Sequence, residues 1–518
     1  MPAASKPALR DRLARLDARL PGNRRLHALE AGAVALALCV LIAVLAAGGG
    51  GGDAPPADAA TRLVPENALV YVHLSTDAGR QGTDAARALA EQFPSYTALR
   101  DRLLRQLSAP KCPVGARDVR GKEAALALLD SSGGAAGSLV LVDTGRDQRD
   151  PAPRRCGAVS VRHIGRFLAI GQPASLAQAS ALAAGKGRSL ADNPAYRRAT
   201  AGLPAGRAAD AWASRDGVRR LLAPQGGLLG AAGVLLDRPG LIGTAAGLTA
   251  GGHRARLTLK SIIDPKAQGG SGSQAFTPTL SGAVPDQAMA YVGVKGLGGA
   301  AGRLLSAAGG AGLGNLLGGL GKQLSGSAGK LDPRIVDLVR EEVAVVITPA
   351  IPAPTLTLIA KAADEAATQR ALRGLEAPLS KLVAAGGGTQ AVFRHQQVAG
   401  VQAAVMRLGT GAELAYAVFG HKLVVSTKID GIAQVKAAGR SVTQTPAYRA
   451  TVGDTSGPVT SVVFLDFSQL LRLGEQTGLN DSRAYQAVKD DLHKVRAVGA
   501  RASGSGDEST VELVLEIS

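Results

Sequence analysis

The residues whose chemistry depends most on spacing in this 518-residue chain are three cysteines and seven histidines. Cys39 lies inside an apolar run near the N-terminus, whereas Cys112 and Cys156 come after that run. Two cysteines in an oxidising compartment most often pair. The sequence therefore predicts a disulfide between Cys112 and Cys156, which would contribute on the order of 2–4 kcal/mol.

The sequence contains no recognisable catalytic or ligand-binding motif. Its histidines lack the spacing of a zinc site; they are His27, His73, His163, His253, His395, His421 and His493. A Gly-x-Ser-x-Gly elbow and an HExxH helix are both absent. Gly321 and Lys322 suggest a phosphate loop, but Leu316 and Gln323 occupy positions that need a glycine and a hydroxyl residue. We expect no catalytic, cofactor-binding or metal-ligating residues, no cofactor and no enzymatic activity.

An apolar run near the N-terminus, without a charge from Ala31 to Ala47, decides where the rest of the chain would lie. Residues 28–47 are about as long as the ~20 residues that span a bilayer, and the basic tail 1–27 would stay in the cytoplasm by the positive-inside rule. Residues 48–61, rich in Gly, Pro and Ala, indicate a flexible tether. The prediction is a single-pass cell-membrane protein with most of the chain extracytoplasmic. A cleaved secretory signal is the alternative, because Val44-Leu45-Ala46 resembles a cleavage site.

Composition limits the partners. The formal net charge is +18, which would attract the protein to anionic lipids or envelope polymers. The same excess of arginine is also typical of a high-GC coding sequence, which is the alternative explanation. Aromatic residues are only 3% of the chain, so few rings could stack on bases, and we expect no nucleic-acid partner.

Two long stretches repeat each other in the same order. Val64-Pro65 and the β-rich run that follows return as Val284-Pro285 and its run, and Pro194-Ala195-Tyr196-Arg197 returns as Pro446-Ala447-Tyr448-Arg449. Asn193 and Thr445 precede these prolines and are typical helix-capping residues, so each motif predicts the start of a helix. This order predicts two repeat units, residues 62–263 and 283–518, joined by a Gly/Ser-rich connector at residues 264–282. Each unit would be α+β, a mainly antiparallel sheet with helices on one face, after the N-terminal transmembrane helix.

The two units also differ. The second has a predicted extra helix, Asp364 to Leu382, and a hairpin, Ala391 to Leu408, where the first has only a loop from Thr144 to Arg155. Two Gly-rich apolar stretches, Gly226 to Gly251 and Gly296 to Gly321, flank the connector. They could meet and form one apolar surface for a lipid, a membrane face or a protein. Alternatively, they could form the core between the units or a flexible low-complexity segment.

The repeated motifs support a family resemblance. The opening from Val64-Pro65 to Leu74, the Phe93-Pro94 helix, the Phe167 to Gly171 strand with its Gln178 helix, and Asn193-Pro194-Ala195-Tyr196 together resemble a bacterial membrane-anchored family catalogued as a domain of unknown function. The resemblance implies an envelope protein with a two-copy extracytoplasmic α+β domain. It implies no catalytic residue.

The sequence favours a non-enzymatic envelope protein whose ectodomain binds a hydrophobic or anionic ligand, or a protein partner, near the membrane. The alternatives are an envelope hydrolase or transferase whose site is assembled from distant segments, and a purely structural assembly protein. A cleft that gathers titratable groups would favour the enzyme.

Overall fold

The computed structural model describes residues 54–77, 79–98, 121–130, 137–150, 152–156, 159–222, 240–264, 266, 274–296, 337–351, 353–385, 392–408 and 412–518. The predicted cytoplasmic tail, the predicted membrane span 28–47 and residues 48–53 of the tether lie outside these ranges. No helix within the described part of the chain is long and apolar enough to cross a membrane.

The strands are β1 (Val70–Ser75), β2 (Glu123–Leu129), β3 (Gly137–Arg149), β4 (Arg154–Cys156), β5 (Val159–Gly171), β6 (Ala209–Ser214), β7 (Leu241–Gly251), β8 (Arg254–Ile263), β9 (Ala290–Lys295), β10 (Glu342–Thr348), β11 (Thr355–Lys361), β12 (Arg394–Val398), β13 (Val401–Leu408), β14 (Ala412–Phe419), β15 (Lys422–Ser426), β16 (Ser461–Asp466), β17 (Val495–Ser505) and β18 (Glu508–Ile517). They form one 18-stranded sheet in which every pairing is antiparallel. Read along the hydrogen-bonded pairs, the order is β4-β5-β3-β2-β1-β6-β7-β8-β18-β17-β16-β9-β10-β11-β15-β14-β13-β12.

This continuous sheet shows that the predicted fold class is wrong. Two tandem α+β units, each with its own sheet, were expected, but β8 pairs with β18 over nine residue pairs and joins everything into one sheet. The physical reason is that each of these strands would otherwise be an edge with unpaired backbone groups. Pairing the two edges with each other satisfies both.

The two sides of this junction are built alike, and we call them the first half (β1 to β8) and the second half (β9 to β18). The same neighbours surround their central strands. β1 lies between β2 and β6 with Tyr71 opposite Trp212, and β9 lies between β10 and β16 with Tyr291 opposite Phe464. Residues of the two halves can therefore be compared position by position through the strand registers.

The helices are α1 (Gln81–Ala90), α2 (Pro173–Ala183), α3 (Pro194–Ala201), α4 (Arg215–Gly217), α5 (Glu365–Ala385), α6 (Ile429–Ala437), α7 (Pro446–Thr451), α8 (Phe467–Gln476), α9 (Arg483–Gln486) and α10 (Lys489–Leu492). Side chains of α2 and α3 pack in the main core of the first half, and those of α6 and α7 pack in that of the second. Leu372 of α5 instead joins a separate core with Ala404 and Met406, which alternate along β13 with Ala403 and Val405 of the main core. Helices thus cover both faces of the sheet, and the expectation of helices on one face is also wrong.

Two local predictions need correction as well. The Gly-rich stretch from Gly226 was expected to be a surface or a core between units, but its last part, Leu241–Gly251, is β7, a strand paired on both sides. The predicted loop from Thr144 is partly strand, because β3 continues to Arg149. Residues 297–321 of the second Gly-rich stretch lie outside the described residues, so its predicted meeting with the first stays a prediction.

Candidate functional site

Three titratable side chains meet inside the first half, and we call Asp58, His73 and Asp210 the histidine cluster. His73 of β1 lies directly opposite Asp210 of β6 in the strand register, and Asp58 precedes the 3-10 turn Ala60–Leu63. One potential ligand atom from each residue lies within 4.8 Å of the others. His73 is 0% and Asp210 4% exposed, so these two residues are almost completely removed from water, whereas Asp58 is half-buried.

Hydrogen bonds fix each member of the cluster. Nδ1 of His73 donates to Oδ1 of Asp210 at 2.9 Å. The hydroxyl of Tyr196 donates to Oδ2 of Asp58 at 2.6 Å, and the hydroxyl of Tyr71 donates to the other oxygen. Asp58 thereby ties the chain that enters the sheet to β1 and to α3.

Two further charged residues adjoin the cluster. Glu123 of β2 accepts hydrogen bonds from the backbone N–H groups of Ala59 and Ala60 at 3.1 and 3.2 Å, and its Oε2 lies 3.6 Å from Nε2 of His73. That distance is longer than a hydrogen bond, and Nε2 has no hydrogen-bond partner among the described residues. Nε of Arg207 lies 3.3 Å from Oδ1 of Asp210. The cluster therefore contains both signs of charge and one unsatisfied ring nitrogen.

The shifts in pKa follow from burial and from the charges facing one another. Burial alone would lower the pKa of His73, but the carboxylates of Asp58 and Asp210 outweigh it and raise the pKa to about 10. Burial raises the pKa of Asp58 against the influence of His73. Burial would also raise the pKa of Asp210, but the His73 charge and hydrogen bond lower it overall. The two aspartates differ because Asp210 holds the imidazolium directly.

The second half shows which of these groups the fold requires. The strand registers place Gly293 where the first half has His73, and Val462 where it has Asp210. Glu342 corresponds to Glu123 and accepts the same kind of bonds, from the backbone N–H groups of Thr279 and Leu280 at 2.7 Å each. The glutamate that holds the entering turn is common to both halves, whereas the histidine cluster belongs to the first half alone.

A groove on the surface of the first half is the second candidate site, and we call it the β5 groove. It has a volume of about 430 Å³ and is lined by Asp147, Gln148, Arg162, His163, Ile164, Gly165, Ser180 and Ala183. Residues 162–165 come from β5, Asp147 and Gln148 from the end of β3, and the last two residues from α2. Gly165 has a φ of +60°, and a Cβ there would lie 3.3 Å from Oδ1 of Asp147, so a larger residue would be strained.

Polar contacts organise this groove. Nη1 of Arg162 donates to the hydroxyl of Ser180 at 3.4 Å, and that hydroxyl donates to the carbonyl of Leu176 at 2.8 Å. Oδ2 of Asp150 accepts from the backbone N–H of His163 at 2.9 Å and lies 3.0 Å from its Nδ1. The backbone hydrogen bond from His163, together with its ring, lowers the pKa of Asp150.

The structure brings together residues that the sequence left apart. His73 and Asp210 are 137 positions apart in the chain, and His73 was expected to be dispersed from any ligand. A signal was present in the repeat itself, because His73 aligns with Gly293 and Asp210 with Val462 where the neighbouring tyrosines and aromatic residues agree. Of the other described histidines, His395 lies 3.3 Å from Glu376, and His493 lies 3.1 Å from Glu475.

The predicted disulfide can be followed at one end only. Cys156, the last residue of β4, is disulfide-bonded. Cys112 and Cys39 both lie outside the described residues, so the pairing of Cys112 with Cys156 stays a prediction.

Comparison with known proteins gives little guidance. No protein-family model matches the chain, and no curated protein matches it either. Among solved structures, crystal form I of TP0453 is 10% identical, with a TM-score of 0.23, and the match covers 39% of this chain and 78% of that one. Crystal form III is 12% identical, with a TM-score of 0.24 and coverage of 39% and 79%. At such TM-scores the likeness supports no conclusion about fold or function.

Proposed function

We propose that the chain is a non-enzymatic, membrane-anchored envelope protein that binds an anionic ligand in the β5 groove. The observation that carries this proposal is the half-buried guanidinium of Arg162, which the groove presents together with the hydroxyl of Ser180 and the amide of Gln148. A guanidinium with neutral donors beside it matches carboxylate and phosphate groups.

The charges around the groove favour the same class of ligand. Arg146 of β3 and the neighbouring Arg154 and Arg155 of β4 are exposed, and β4 pairs directly with β5. Asp147 is the acidic residue that lines the groove, and Asp150 is already paired with His163. The local excess of arginine would raise the concentration of an anionic ligand near the groove.

The hydrogen bonds of the groove favour binding over catalysis. Asp150 and His163 have the arrangement of a base and its orienting carboxylate. The hydroxyl of Ser180, however, donates to the carbonyl of Leu176 and accepts from Arg162. A serine so engaged has its proton directed away from the histidine, so it is not activated as a nucleophile.

The corresponding positions of the second half are apolar and mostly buried. The matching positions are Ala417, Val418 and Phe419 on β14, and Lys436 on α6 has its Nζ 5.5 Å from the centre of the Phe419 ring. A lysine lying over a ring replaces the open polar groove of the first half. A ligand that needs the groove would therefore bind one half and not the other.

Isothermal titration of the full-length chain in neutral detergent with pyrophosphate, a simple polyanion, tests this proposal. We expect saturable binding of one equivalent that weakens with added salt, and a loss of at least tenfold in affinity for Arg162→Gln. Arg188→Gln is the matched control, because Arg188 is exposed and bonds to Glu66 at 3.1 Å away from the groove. Equal affinity of both variants, or no saturable binding by the unaltered chain, would overturn the proposal.

A further inference from the structure

We propose that the histidine cluster binds one divalent transition-metal ion, such as Zn²⁺ or Mn²⁺, independently of any ligand in the β5 groove. His73 would supply a nitrogen, and Asp58 and Asp210 would supply carboxylate oxygens. This mixture of imidazole and carboxylate ligands suits zinc, manganese, iron and cobalt in the divalent state.

The separations in the cluster are close to those of a metal site. Ligands that lie about 2.0–2.2 Å from a metal ion are roughly 3–3.5 Å from one another. The ligand atoms of Asp58, His73 and Asp210 already lie within 4.8 Å of one another, so a contraction of about an ångström would complete the site. Asp58 is only half-buried, which leaves a route from solvent to the cluster.

The unsatisfied nitrogen of His73 is the second and independent observation. The side chain is 0% exposed, and Nε2 has no hydrogen-bond partner among the described residues, although it faces the carboxylate of Glu123 at 3.6 Å. Nδ1 is meanwhile held by Asp210 at 2.9 Å. An ion bound at Nδ1 would replace the proton that Nδ1 shares with Asp210, and the N–H at Nε2 would then be oriented by the carboxylate of Glu123. Metal-binding histidines commonly have this arrangement, with one nitrogen on the ion and the other donating to an outer carboxylate.

The second half supplies the argument against a purely structural cluster. It builds the same arrangement of strands with Gly293 and Val462 in place of the two strand residues, and Glu342 alone holds its entering turn. Taking charged groups out of water costs several kcal/mol for each ion. Folding does not require that cost in the second half, so the cluster in the first half calls for another explanation, and a bound cation provides one.

The existing hydrogen bonds are compatible with an ion. Each carboxylate has about four lone-pair sites, so Asp58 can accept from Tyr71 and Tyr196 and still offer an oxygen lone pair. Asp210 would exchange its hydrogen bond with His73 for the ion and keep its contact with Arg207. A metal ion would add a partner for these groups without removing the tyrosines that position Asp58.

Direct binding measurements on the full-length chain test the proposal. After treatment with a chelator and its removal, the chain is titrated with Zn²⁺ by calorimetry and with Co²⁺ by visible absorption. Every protein in this experiment carries His493→Ala, because His493 and Glu475 lie 3.1 Å apart and could bind an ion at the surface. We expect one equivalent of metal and a cobalt ligand-field band, with affinity at least 100-fold weaker in His73→Gly, which copies the residue of the second half.

The control is His395→Ala, which removes a histidine that lies 3.3 Å from Glu376 outside both candidate sites and should retain the band. Should His73→Gly fail to fold, Asp58→Asn decides, because Asp58 lies in the half-buried segment before the first strand and keeps its shape in this variant. No stoichiometric binding by the unaltered chain, or binding that survives in either cluster variant, would overturn the proposal.

Discussion

Breaking the β8–β18 pairing is expected to uncouple the unfolding of the two halves. The register pairs nine residues of β8 with nine of β18. About nine backbone hydrogen bonds at a net 0.5–1.5 kcal/mol each give roughly 5–13 kcal/mol of coupling. Ion pairs such as Arg256 with Glu512 at 3.3 Å and Lys260 with Glu508 at 3.0 Å add only about 0–1 kcal/mol each, because they are partly exposed. The backbone pairing therefore dominates.

Proline substitution tests the contribution of these backbone hydrogen bonds directly. Proline removes one ladder hydrogen bond and is not tolerated in the middle of a sheet. Successive residues of a strand direct their N–H groups to opposite neighbours, so of Leu257→Pro and Thr258→Pro, one breaks a junction bond and the other breaks a bond to β7. Only the variant that breaks a junction bond is expected to separate the unfolding of the two halves. The variant that breaks a bond to β7 should instead destabilise the first half.

The assay uses the single tryptophan of the chain. Trp212 lies in the core of the first half and is 2% exposed, so its fluorescence reports that half, whereas far-ultraviolet circular dichroism reports both. In urea the two signals should change together in the unaltered chain and separate in the junction variant. Thr258→Val is the control, because it keeps the branched shape and removes a buried hydroxyl that has no hydrogen-bond partner among the described residues. Separate transitions in the unaltered chain, or coincident transitions in both proline variants, would refute the reasoning.

Three other predictions concern single positions. Gly243→Ala should destabilise the first half by roughly 1–3 kcal/mol in urea unfolding, because its Cβ would lie 2.2 Å from the Trp212 ring. Ala399→Asn should stabilise the protein by about 0.5–1 kcal/mol, since Ala399 has a φ of +49° in the two-residue turn between β12 and β13, where asparagine before glycine is favoured; an unchanged urea midpoint would contradict this. Hydrogen bonds from Tyr485, His493 and Lys489 lower the pKa of Glu475 to about 2. Its contribution is fully present above the ordinary pKa of 4.5 and is lost progressively as pH falls from there through about 2, so the difference in urea midpoint between the unaltered chain and Glu475→Gln should shrink over this range; a constant difference would contradict this.

The sequence predicted local features better than the overall fold. The repeat placed Asn193 and Thr445 before helices, and both side chains accept backbone N–H groups at the starts of α3 and α7. The extra helix of the second half was also placed well, since α5 runs from Glu365 to Ala385. Motifs of this kind depend on neighbours in the chain. The joining of β8 to β18 depends on two segments about 250 positions apart, and no short pattern records it.

The sequence did not predict the candidate sites for the same reason. His73, Asp58 and Asp210 become neighbours only after β1 pairs with β6 and the entering turn docks on Glu123. Considered singly, each is an ordinary polar residue in an apolar run or a tether. The informative comparison was between aligned positions of the two repeats, which the sequence analysis used for helix and strand starts and not for buried polar residues.

The halves therefore serve as controls for each other in a way that a single unit could not. Glu123 and Glu342 show that a buried carboxylate is needed wherever the chain enters, because backbone N–H groups at the start of a turn must be satisfied. The fold does not require His73 and Asp210 in this way, because Gly293 and Val462 occupy the corresponding positions of the second half. Burying these charged groups costs free energy, and the same fold forms in the second half without them. This difference is the physical reason for proposing the metal site in the first half.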